Sequence, residues 1–137
     1  MSEESTTSLT QALSEIWEAA DTSMLWTWDK RYRTALLAIK PEFAEPIEAN
    51  FKQCFPDSWN MENHSSGNEA IQSLIGFLAG LQSGQSLYTR QLEGDLLAFA
   101  TFWPWAGNTN VSIRVGVYRA SENSATSLND IVDELKS

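Results

Sequence analysis

The segment from Val111 to Val117 places a branched apolar residue at every second position, Val111, Ile113, Val115 and Val117, with Ser112, Arg114 and Gly116 between them. A period of two fits an extended strand with one buried face and cannot line up on a helix. The same period starts at Ser86, interrupted by Glu93-Gly94, which reads as a two-residue hairpin turn, and by Ala106-Gly-Asn-Thr109, which reads as a second turn. Three strands in an antiparallel meander follow.

Upstream the period is 3.6. Ser8-x-x-Gln11 has the form of a capping box, and Leu9, Leu13, Ile16 and Trp17 share one helical face after it. Asp29 can cap a second helix with Leu36, Leu37 and Ile39 facing inward until Pro41. Pro46 suits the first turn of a third, followed by Ile47, Phe51, Cys54 and Phe55 until Pro56. The polar run 57–68 reads as a loop, and Ile71, Leu74, Ile75, Leu78 and Leu81 form a fourth helix ended by Gly84. Ser127-x-x-Asp130 opens a short last helix carrying Leu128, Ile131, Val132 and Leu135. The expected fold is α+β: N-terminal helices packed on a three-stranded antiparallel meander sheet, with a short C-terminal helix. No linker or repeat divides the chain, so residues 1–137 are expected to form one globular domain, with 1–7 disordered.

A two-residue turn at Glu93-Gly94 sets Arg90 opposite Leu97 and Tyr88 opposite Phe99, and the second turn sets Trp103 against Ser112, Thr101 against Arg114 and Leu97 against Tyr118. One face then carries Leu87, Leu96, Ala98, Ala100, Phe102, Val111, Ile113, Val115 and Val117, which helices must cover. The other carries Tyr88, Arg90, Phe99, Trp103, Arg114 and Tyr118. Two guanidiniums beside an aromatic strip suit an anionic or planar group, or a protein partner, since Trp, Tyr and Arg dominate interface hot spots. The plainer alternative is that helices cover this face too, with the arginines reaching past the aromatics to the rim. Trp103-Pro104-Trp105 poses the same choice between a clamp and the lid of a core.

Nine Lys and Arg against eighteen Asp and Glu give the chain a net charge of −9. That field repels phosphate backbones and argues against nucleic-acid binding, while favouring a basic partner. The single cysteine, Cys54, allows no intramolecular disulfide, and the acidic start has no export-signal character, so the expected location is cytoplasmic. The apolar stretch 71–81 is too short to cross a bilayer, and no membrane association is expected. His64 is the only histidine and recurrent ligand spacing is lacking, so neither a metal nor a cofactor is expected. Lys30, Arg31 and Arg33 could dock an anion or an acidic partner, and read more simply as a solvated helix face paired with nearby carboxylates.

With 42% apolar residues the chain can bury a real core, and no catalytic motif accompanies it. The reading is a small acidic cytoplasmic interaction module, chaperone-like or inhibitor-like, that uses the aromatic and arginine face and leans away from an enzyme. A small-ligand binder or enzyme with its pocket on that face is the alternative. No oligomeric state follows from the sequence.

Overall fold

The computed structural model describes residues 27–30, 34–78, 80–92, 96–105, 107 and 109–126. The helices expected over 8–17 and 127–135, the disorder expected over 1–7, the Glu93-Gly94 turn and Arg31 and Arg33 lie outside these residues. In chain order the elements are β1 (Thr27–Asp29), β2 (Thr34–Ile39), α1 (Pro41–Cys54), β3 (Asp57–Trp59), α2 (Glu69–Phe77), β4 (Ser86–Gln91), β5 (Leu96–Pro104), β6 (Val111–Arg119) and β7 (Ser124–Thr126). Six strands lie in the order β1-β2-β6-β5-β4-β3, every pair antiparallel, and β7 pairs the far half of the β6 edge that β2 shares. The fold remains α+β, but the three-stranded sheet under a set of N-terminal helices is overturned: the meander β4-β5-β6 is the centre of a much wider sheet, with two α-helices among the described residues.

The helix expected after Asp29 is a strand. Thr34-Ala-Leu-Leu-Ala-Ile39 is a short apolar run whose periodicity suits a two-sided buried strand as well as a helix. Ladder partners decide, because Ala35 through Ile39 pair with Val115 through Val111 along β6. Leu37 then points to one side of the sheet, while Thr34, buried as completely, points to the other. β3 likewise replaces part of the expected loop, tied to β4 by the Trp59 indole N–H, which donates to Thr89 Oγ1 at 2.9 Å.

α1 starts five residues before the expected Pro46. Pro41 takes the first-turn place that suits a residue lacking an N–H, and Glu42 sits favourably at the positive end of the helix dipole. Pro46 lies inside the helix on its exposed side, where the carbonyl it fails to satisfy can turn to water. At α2, Asn68 accepts from the Ile71 N–H at 3.0 Å, and the chain leaves the helix at Gly80, whose φ of 91° suits glycine and whose N–H returns to Ile75 O.

Each face of the sheet has its own core. Under α1, Ala44, Ile47, Phe51 and Phe55 pack on Leu37, Leu96, Ala98, Ala100, Phe102, Val111, Ile113, Val115 and Val117. Phe51 stands edge-on to Phe55 and to Phe102, with ring centroids 5.4 and 5.5 Å away. Under α2, Ile71, Leu74, Ile75, Leu78 and Leu81 pack on Leu87, Leu97, Phe99, Tyr118 and Ala125.

Candidate functional site

The pairing of β5 with β6 follows the expected register, with Leu97 opposite Tyr118, Thr101 opposite Arg114 and Trp103 opposite Ser112. The pairing of β4 with β5 does not. Arg90 faces Ala98 and Tyr88 faces Ala100, and Leu92 N–H donates to Leu96 O, one residue beyond the Asp95 expected opposite it. A slip of one residue transfers a whole strand's side chains to the opposite face. Tyr88 and Arg90 therefore lie on the α1 side, and Leu87, expected there, lies under α2. The six nominated residues do not form one surface.

Tyr88 is buried against Phe102, ring to ring at 5.6 Å, and its hydroxyl donates to Glu48 Oε2 at 2.7 Å. Burial, then the hydrogen bond to Glu48 and the charge of that carboxylate, push the phenol well above its ordinary range. Such a group is a poor acid or base at neutral pH, and it acts here as a polar tether between β4 and α1. Arg90 is half-buried on the same side.

Phe99 and Tyr118 are fully buried beneath α2. The Ser73 hydroxyl lies 2.6 Å from that of Tyr118, which in turn donates to Asn123 Oδ1 at 2.6 Å, and Phe77 packs on the phenol ring. Asn123 has a φ of 47°, a backbone state that asparagine tolerates better than most residues. The chain of hydroxyls thus pins α2 to the corner where β6 turns into β7. Sequence reasoning missed Ser73 and Asn123, since neither spacing nor period relates positions so far apart.

Trp103 and Arg114 do come together. The guanidinium carbon lies 4.6 Å from the centre of the Trp103 ring, and Trp103 is half-buried at the border of the α2 core. Thr101 Oγ1 accepts the Arg114 backbone N–H at 3.2 Å, next to this pair. At the strand end the Trp105 indole N–H donates to Ser112 Oγ at 2.7 Å and its backbone N–H to Asn110 O at 2.8 Å, yet 47% of the residue is exposed. Trp103, Trp105, Ser112 and Arg114 thus form one corner at the start of the β5–β6 hairpin. An indole held by its one polar atom thus stays partly in water at the same strand end where Arg114 lies over Trp103.

Among the described residues no cluster of three or more His, Cys, Asp or Glu side chains could hold a metal ion, and no helix is long and apolar enough to cross a membrane. No protein-family model matches the chain, and no curated protein and no solved structure matches it either.

Proposed function

We propose that this protein is a binding module for a protein partner, engaged through the corner of Trp103, Trp105, Ser112 and Arg114. The observation that carries the reading is Trp105, whose only polar atom in the side chain is already committed to Ser112 while nearly half of the residue stays in water. Holding an aromatic ring in one pose before binding removes an ordering cost of association, and Trp and Arg are the residues that most often anchor interfaces. The net charge of −9 favours a basic partner, and the single cysteine fits a cytoplasmic setting.

The Arg114 and Trp103 stack supports a second reading, in which the corner takes a small planar anion by charge-assisted hydrogen bonds and stacking. One experiment separates the two. Tagged wild-type chain purified from its native cell is expected to bring down one stoichiometric basic protein that Trp105→Ser loses. A clean monomer carrying a small molecule that Arg114→Gln releases would overturn the first reading and favour the second.

A further inference from the structure

Phe43, Met61 and Trp105 are the large apolar residues most exposed among those described, at 53%, 47% and 47%. They are far apart in the chain, but the sheet register places them at one end of it. Ile39 pairs with Val111, and Val111 with Pro104, so the last residue of β2, the first of β6 and the last of β5 are level. Phe43 lies in the first turn of α1, just past Ile39, and Trp105 follows Pro104 directly. β3 runs toward the same end, since Trp59 pairs with Leu87 and Leu87 with Thr101, and Met61 is two residues further on.

The ends of β2 and β3 are four strand spacings apart, so the chain positions carrying the three residues spread over roughly 20 Å across the end of the sheet, with Phe43 on the α1 side and Trp105 on the α2 side. Glu42 and Glu62 are exposed and adjacent in sequence to Phe43 and Met61, Glu45 is exposed one turn along α1, and the exposed cation Lys40 immediately precedes that helix. Apolar contacts interleaved with carboxylates, on a chain of net charge −9, complement lysine or arginine alternating with apolar residues.

We propose that this end of the sheet is a docking surface for a cationic, amphipathic protein segment, with Phe43, Met61 and Trp105 as its apolar contacts and Glu42 and Glu62 as its charge contacts. The inference rests on the reading of Trp105 as an anchor and adds the extent of the surface and the chemistry of the partner.

The test titrates the isotope-labelled full chain with a short synthetic peptide of alternating lysine and leucine, followed by NMR shifts and by affinity. Shifts are expected at Phe43, Met61 and the Trp105 indole. A lysine and serine peptide of equal charge should bind about tenfold more weakly, and a glutamate and leucine peptide weaker still. Phe43→Ser and Met61→Ser should each weaken the lysine and leucine peptide about fivefold and Trp105→Ser about tenfold. Glu42→Gln with Glu62→Gln should flatten its salt dependence. All these positions are exposed, so thermal unfolding of each variant is expected to match the wild type, and that match is checked first. If Trp105→Ser weakens binding while Phe43→Ser and Met61→Ser do not, the extended surface is wrong and the Trp105 corner stands. If none of the three matters, if the serine peptide binds equally well, or if the leucine peptide does not bind, both fall.

Discussion

The two faces of the sheet solve the same packing problem differently. The α1 face is closed mainly by an apolar cluster, to which Tyr88 adds a hydrogen bond to Glu48, whereas the α2 face is held also by Ser73, Tyr118 and Asn123, by Trp59 on Thr89, and by Arg114 on Trp103. Apolar burial is non-directional and supplies most of the stability, while buried polar links fix one arrangement and leave polar groups near the surface. The candidate corner lies on the second kind of face, where α2 leaves Trp103 half-covered and Trp105 open.

Truncation should expose that difference most strongly on the α1 side. Phe51→Ala removes a fully buried ring with two aromatic neighbours and is expected to cost about 3–5 kcal/mol in urea unfolding, while any partner affinity of the folded fraction is unchanged. Tyr118→Phe should cost about 1–2 kcal/mol, because Ser73 and Asn123 lie near enough to water to recover part of what they lose. A larger loss than for Phe51→Ala would reverse the assignment of the two faces.

Tyr88→Phe should cost about 1 kcal/mol at neutral pH and leaves a distinct signature in alkali. The folded phenol titrates above its unfolded value of 10.0, so the folded state holds a proton the unfolded state releases, and this contribution is whole below pH 10 and lost as the pH rises beyond it. Urea unfolding across that range should therefore show an alkaline decline that is reduced in Tyr88→Phe. Arg114→Gln should cost about 1–2 kcal/mol, the worth of a half-buried cation on an aromatic ring, and Trp105→Ser about 0.5 kcal/mol or less. Both should lower partner recovery far more than they lower stability.

The same contrast explains what could be read from the sequence. Strict alternation in Val111, Ile113, Val115 and Val117 set the α1 face and, through a four-residue turn, the β5–β6 register, so Trp103 beside Arg114 was within reach. Tyr88 and Arg90 were misplaced because Leu87-Tyr88 offers an apolar residue to either face, so alternation leaves the register open, and the ladder pairs Gln91 with Leu97 where a two-residue turn at Glu93-Gly94 would pair it with Leu96. β2 was hidden for a related reason: its ladder partner on β6 lies more than seventy residues downstream, a pairing that local periodicity does not carry. The end-on gathering of Phe43, Met61 and Trp105 depends on that missed strand order, and no spacing in the sequence announces it.

A soluble nitroxide added to the assigned protein shows directly, by NMR line broadening, which of the aromatic residues can be touched from outside. The Trp105 ring is expected to broaden strongly, with Phe43 and the Met61 methyl group, while the rings of Phe99, Tyr118 and Phe51 keep their line widths. Broadening of Phe99 and Tyr118 equal to that of Trp105 would show that α2 does not close its face, and would contradict the division of the aromatic residues between core and recognition surface.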